Sequence, residues 1–143
     1  MGKFETPDYV LDDQVGHLLR RANQRHAALF AKIFDDHDLT PLQFAVLMRL
    51  DGVGELSQNH LGRLTAMDPN TTKGVVSRLL DRDLLTRRKC IDDKRRFRLT
   101  LSEKGHLLAE RLKDAGNHVS RETLAPFSNT EKTTFLKLLK RIV

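Results

Sequence analysis

The sequence predicts a mainly α-helical fold with one small β-hairpin, and three observations predict it. Apolar residues recur at spacings of three, four or seven in several segments, the pattern of amphipathic helices. Five segments open on a residue suited to cap a helix: Thr40, Ser57, Asp68, Ser102 and Ser128. Only two short runs, residues 84–88 and 97–101, look like strands, and the polar segment 91–95 between them reads as a hairpin tip. That tip has no Asn-Gly or Asp-Gly pair, so its turn type is left open.

Over residues 10–34, Leu11, Val15, Leu18, Ala22, Leu29 and Ile33 make one face of a long first helix. Thr40-Pro41-Leu42-Gln43 supplies a cap, a proline at the first helical position and a capping-box partner. The second helix is expected to bury Leu42, Ala45, Val46 and Leu50 or near neighbours and to stop at Asp51-Gly52. Ser57 caps a short third helix carrying Leu61 and Leu64. Asp68-Pro69 opens a fourth that packs Thr72, Val75, Val76 and Leu79. Ser102 starts a long helix through Leu107, Leu108, Leu112 and Ala115, extending to about Leu124. Beyond Pro126, the capping box of Ser128 and Glu131 opens a last helix with Phe135, Leu138, Leu139 and Ile142. The expected order is α-α-α-α-β-β-α-α in a single domain of six helices. Its core is a segment of about residues 40–101, flanked by helical arms over about 10–36 and 102–143.

Composition narrows the function classes. The chain has 143 residues, enough for one domain with a core. Aromatics are 6% with no Trp, which disfavours a sugar platform or a single-strand stacking surface. The one cysteine, Cys90, has no internal disulfide partner, as expected of a cytoplasmic protein. Neither a signal region nor a membrane span is expected, and no cofactor or metal motif stands out.

The net charge of +6 acquires meaning from its position. Residues 73–98 hold ten Lys or Arg against Asp81, Asp83, Asp92 and Asp93, so this segment carries the whole excess and the rest is neutral. Seven of the ten are arginine, whose rigid fork suits phosphates and base edges, so the expected partner is double-stranded DNA. A helix-turn-helix followed by a basic hairpin is a winged helix-turn-helix. With Thr72, Val75, Val76 and Leu79 inward, the fourth helix presents Asn70, Lys73, Gly74 and Ser77, flanked by Thr71 and Arg78, to a major groove about 12 Å wide. Gly74 costs the helix roughly 1 kcal/mol. Two readings account for it: close backbone approach to DNA, or tight packing on a neighbouring helix. At the wing tip, Lys94, Arg95 and Arg96 are placed for a minor groove, and Asp93 either steadies an arginine or simply makes the turn.

These segments resemble the MarR family of bacterial transcriptional regulators. The resemblance rests on residues 39–47, 61–85, 92–96 and 99–105 and covers about 11–143. It implies a homodimer, joined through the first and last two helices, that binds an imperfect palindrome as a repressor released by a small effector. It maps the recognition helix onto residues 69–82 and the wing aspartate and arginine onto Asp93 and Arg95. Asp83 departs from the family's usual glycine, so a differently shaped helix end is expected there. The apolar surface of the terminal helices independently favours a dimer.

His26 interrupts the apolar face of the first helix. It is either a core histidine satisfied by a neighbour or the polar anchor of an effector pocket. With His17, Arg20, Arg21 and Arg25 on the same helix, it forms a group suited to an aromatic or heteroaromatic carboxylate. Residues 9–21 with His26 look like the subgroup governing nicotinate and related N-heteroaromatic catabolism. Redox sensing through Cys90 and zinc binding at His106 and Glu110 are weaker readings. The rival function is a constitutive architectural DNA-binding protein without an effector. A winged helix reserved for protein partners is a third reading. An enzyme is not expected, because neither a phosphate-cradling glycine loop nor a nucleophile elbow is present.

Overall fold

The structure, a computed structural model, describes residues 8–93 and 96–143. Among these residues six α-helices are observed: α1 (Val15–Ile33), α2 (Pro41–Val53), α3 (Gln58–Leu64), α4 (Pro69–Asp81), α5 (Glu103–Thr123) and α6 (Asn129–Leu139). Three strands, β1 (Glu55–Ser57), β2 (Leu85–Lys89) and β3 (Phe97–Leu101), form an antiparallel sheet in the order β1-β3-β2. The hairpin is thus part of a three-stranded sheet. Its third member, β1, joins α2 to α3 and was not anticipated.

The caps act as the local chemistry demands. Thr40 Oγ1 accepts from the Gln43 N–H at 3.2 Å while Gln43 Oε1 accepts from the Thr40 N–H, also at 3.2 Å. Ser128 and Glu131 repeat this box at α6, and Ser57, Asp68 and Ser102 each cap their helix singly. Each satisfies donors that a helix start leaves without partners.

The core lies where α2, α4 and α5 meet the inner face of the sheet. Val46, Leu47 and Leu50 of α2 join Leu61, Val76, Leu79, Leu84, Leu99 and Leu112, all essentially inaccessible to solvent. Register explains the sheet's two faces, because Cβ atoms alternate along a strand. Leu56, Leu99, Leu85 and Leu101 point inward, whereas Glu55, Ser57, Arg88, Arg98, Thr86 and Thr100 share the outer face. Phe30 and Phe34 of the first-helix region stack at 4.1 Å, and Phe44 of α2 meets Phe34 edge-on at 4.9 Å.

The expected buried face of α4 is observed in full, since Thr72, Val75, Val76 and Leu79 are all buried. Elsewhere the structure corrects the sequence reading. Residues 11–13 form a separate 3-10 turn, and α1 starts only at Val15. The first helix buries Phe30, while Leu11, Val15 and Leu18 stay exposed. Leu42 is also exposed, and α2 buries Gln43 and Leu47 in its place. The second helix runs past Gly52 to Val53 and ends at Gly54, whose φ of 97° is one only glycine adopts freely.

The end of α4 is a further correction. Asp83 takes the left-handed conformation of a glycine, φ 58°. The Leu84 N–H donates to Leu79 O at 3.0 Å and the Asp83 N–H to Leu80 O at 3.0 Å, a Schellman closure. The departure from glycine therefore leaves the helix end unchanged in shape. The Ser102 hydroxyl, donating to Asp83 O at 2.6 Å, holds it there.

Candidate nucleic-acid interface

The helix-turn-helix is built from α3 and α4, with Ala66 left-handed (φ 55°) in the turn between them. Its second helix begins at Asp68, whose Oδ1 accepts from the Thr71 N–H at 2.8 Å and whose Oδ2 accepts from the Thr71 hydroxyl at 2.9 Å. Those two bonds hold the Asp68 carboxyl below the ordinary carboxylate range. Thr71 is thereby committed to the cap and is half-buried. Asn70, Lys73, Gly74, Ser77 and Arg78 are all exposed. A Cβ added at Gly74 would have nothing within 4 Å, so packing against a neighbouring helix does not account for that glycine.

The basic residues of 73–98 do not behave alike. Arg82 donates to Asp38 O at 2.7 Å, and the Lys104 ammonium donates to Arg82 O at 3.0 Å. Arg87 lies 4.5 Å over the Phe97 ring. Arg88 grips Glu55 through Nε at 3.2 Å and through Nη2 at 2.8 Å to both carboxylate oxygens. Glu55, half-buried on β1, also faces Arg98 Nε at 3.7 Å. The hydrogen bonds and charge of Glu55 push the Arg88 pKa above its ordinary value. Asp93 makes the turn, accepting from the Arg96 N–H at 3.0 Å, and pairs with Arg96 Nε at 3.6 Å. Lys94 and Arg95 lie outside the described residues.

Three surface hollows adjoin along this side. The first, between α3 and α4, is lined by Gln58, Asn59, Arg63, Asn70 and Lys73 among others. The second shares Gln58, Asn59 and Arg63 and adds Arg96 and Phe97. The third shares Ser57 and Arg96 with the second and adds Arg88 and Arg98. Together they form a basic trough from the exposed face of α4 to the wing. Sequence reasoning missed Gln58, Asn59, Arg63 and Glu55. The first three follow directly after the Ser57 cap, so the polar start of α3 was the available signal.

The first-helix residues fall into two groups. His17 Nε2 lies 3.5 Å from Asp12 Oδ1, and Arg20 reaches His17 Nδ1 at 3.5 Å. Nine residues later, half a turn round the helix, His26 Nδ1 and Thr123 Oγ1 are 2.8 Å apart. Arg25 donates to Glu122 O at 2.8 Å and to Thr123 O, so it satisfies carbonyls at the end of α5. Arg21 is exposed. The structure thus joins His17 with Arg20, and Arg25 with His26, without bringing the two pairs together. Glu110 bonds Lys113 at 2.8 Å, while His106 faces Asp51 at 3.7 Å. Among the described residues no three His, Cys, Asp or Glu converge on a metal position. No described helix is long and apolar enough to cross a membrane.

Residues 37–96 match the model of the MarR family. The HTH-type transcriptional repressor NicR of Pseudomonas putida is 34% identical over 140 residues, 98% of this chain and 89% of that protein. A probable transcriptional regulator from Pseudomonas aeruginosa superposes with a TM-score of 0.89 at 48% identity, covering 94% of this chain and 100% of the other. Bordetella bronchiseptica BpsR, whose DNA binding is regulated by 6-hydroxynicotinic acid, superposes with a TM-score of 0.90 at 35% identity over 94% of this chain and 96% of the other.

Proposed function

Because the chain belongs to the MarR family, we propose that it is a dimeric, sequence-specific DNA-binding repressor whose operator binding is modulated by a small heteroaromatic acid of the hydroxynicotinate class. The observation that carries the DNA reading is the basic trough joining the exposed face of α4 to the wing. In this reading Asn70, Lys73, Ser77 and Arg78 meet base edges and flanking phosphates. Gly74 admits the helix backbone close to the groove, and Thr71 holds the helix start. Asp93, Lys94, Arg95 and Arg96 engage the adjoining minor groove. The homodimer forms through α1, α5 and α6, and the two-fold sets recognition helices about 34 Å apart on a pseudo-palindrome. The protein works in the cytoplasm, beside the chromosome.

The effector reading assigns the acid to the neighbourhood of His17, Arg20, Arg21, Arg25 and His26. Its best support is the Arg25–His26 pair at the α1–α5 junction, which combines a guanidinium and a half-buried imidazole. A carboxylate and a heteroaromatic ring suit that pair once the acid displaces its bonds to Glu122 and Thr123.

The test is a gel shift on DNA upstream of the protein's own gene, titrated with 6-hydroxynicotinate and a panel of aromatic acids. Release of the shifted band by a saturable concentration of one acid is expected, with His26→Ala losing the response while still binding DNA. Operator binding insensitive to every acid would instead identify an architectural protein without an effector.

A further inference from the structure

The outer face of the wing sheet carries two arginines, Arg88 and Arg98, in directly paired register, and Glu55 on β1 serves both. Counted along the chain, this part of the protein looks strongly cationic. Counted in space it is less so, because an acid from outside the basic segment occupies Arg88 through three contacts of 2.8 to 3.2 Å and lies 3.7 Å from Arg98. A guanidinium whose Nε and Nη2 face a carboxylate is neutralised and geometrically committed, and a phosphate must displace that carboxylate to use it. Arg96, on the same trough, pairs with Asp93 at 3.6 Å, outside the range of a short bidentate grip.

We infer that Glu55 is a specificity-determining residue: its carboxylate restrains Arg88 and offsets the charge of Arg98 beside it, which limits the attraction of the sheet's outer face to any DNA backbone and leaves recognition to α4 and the wing tip. The consequence follows from how such proteins search. Phosphate contacts supply affinity without sequence information, and competing non-specific sites vastly outnumber operators. A wing with one more unrestrained arginine and one acid fewer holds all DNA more tightly and distinguishes its operator less well. An acid on a DNA-facing sheet is thus a means of raising the ratio between specific and random binding.

This inference rests on the wing reading above, and the test separates the two. Fluorescence anisotropy would measure binding to an operator duplex and a random duplex across a salt series. The proteins would be wild type, Glu55→Gln, Arg96→Ala and the double variant Glu55→Gln/Arg88→Gln, each confirmed folded by circular dichroism. Glu55→Gln is expected to tighten random-duplex binding about three- to tenfold at moderate salt, and to steepen the slope of log affinity against log salt by about one to two. The operator-to-random ratio falls, and the double variant recovers about one unit of slope. An unchanged or shallower slope in Glu55→Gln, with Arg96→Ala still lowering the slope, overturns the inference and leaves the wing reading standing. A slope unmoved by Arg96→Ala as well overturns both.

Discussion

Helices α4 and α6 start alike and finish in opposite surroundings. Each opens on a carboxylate-assisted cap, at Asp68–Thr71 and at Ser128–Glu131, and they span 13 and 11 residues. Yet α4 buries four side chains against α2, α3 and the sheet, whereas α6 buries none. Phe135, Leu136 and Leu138 of α6 remain 37–52% exposed, and Leu18 and Leu19 of α1 are similarly open. Cap chemistry decides where a helix begins, but burial needs a facing surface, and among the described residues α6 finds little beyond the contact of Phe135 with Phe127. At about 1.5–3 kcal/mol for each fully buried large apolar side chain, that open face is the natural seat of a second copy.

The contrast can be broken most severely inside the packed half. A Cβ on Gly105 would lie 2.1 Å from Leu84 O, a contact with backbone that no rotamer change relieves. Gly105→Ala is therefore expected to cost about 3 kcal/mol or more in a urea melt. Stability within about 0.5 kcal/mol of wild type would mean the α5–sheet junction is looser than this packing implies.

The open half responds in association instead. Leu136→Glu combined with Leu138→Glu is expected to weaken dimerisation by about 100-fold or more in sedimentation experiments, which is roughly 2.7 kcal/mol. The far-ultraviolet spectrum per residue should change little. An unaffected dimer would place the interface elsewhere and remove the explanation for α6.

The smallest effect tests what the two helices share. Asp68 and Glu131 both have carboxyls held below the ordinary range, chiefly by a backbone N–H at the helix start, that of Thr71 for Asp68 and of Ser128 for Glu131. As pH falls, the unfolded chain takes up these protons first. Their stabilisation is thus present above the ordinary carboxylate range and is lost as pH falls through it towards the lowered folded-state values. Asp68→Asn keeps a good cap and removes one titrating group. It should flatten the acid limb of the melting curve slightly while leaving the neutral-pH melting temperature within a few degrees. An acid limb as steep as wild type would show that Asp68 does not contribute to it.

What could be read from the sequence follows the same division. Caps are local, so Thr40, Ser57, Asp68, Ser102 and Ser128 were all placed correctly. The buried face of α4 was legible because its period of 3.6 is unambiguous. Leu42 was misjudged because periodicity gives an apolar side without saying whether anything covers it. Strand β1 has three residues, too few to show alternation, and its identity comes only from pairing with β3 more than 40 positions away. The exposed face of α4 was visible from pattern alone, whereas the role of Glu55 depended on that same missed strand. Asp83 shows the converse, since tertiary contact with Ser102 secures a backbone conformation that propensity argued against.

The fastening of α4 is lopsided. At its C-terminal end, Arg82 reaches the turn before α2, and Lys104 and Ser102 at the start of α5 hold Arg82 O and Asp83 O. At its N-terminal end the side-chain hydrogen bonds among the described residues, from Thr71 and Thr72 to Asp68, are the helix's own. A helix of this length, about 20 Å, is thus pinned by side-chain hydrogen bonds at the heel, while its toe rests on α3 by packing alone. A tilt of about 5° at the heel carries the toe nearly 2 Å, more than a bidentate contact to a base tolerates. Small adjustments where α1 passes into α2, or where α5 begins, are therefore magnified at the end of α4 proposed to read DNA.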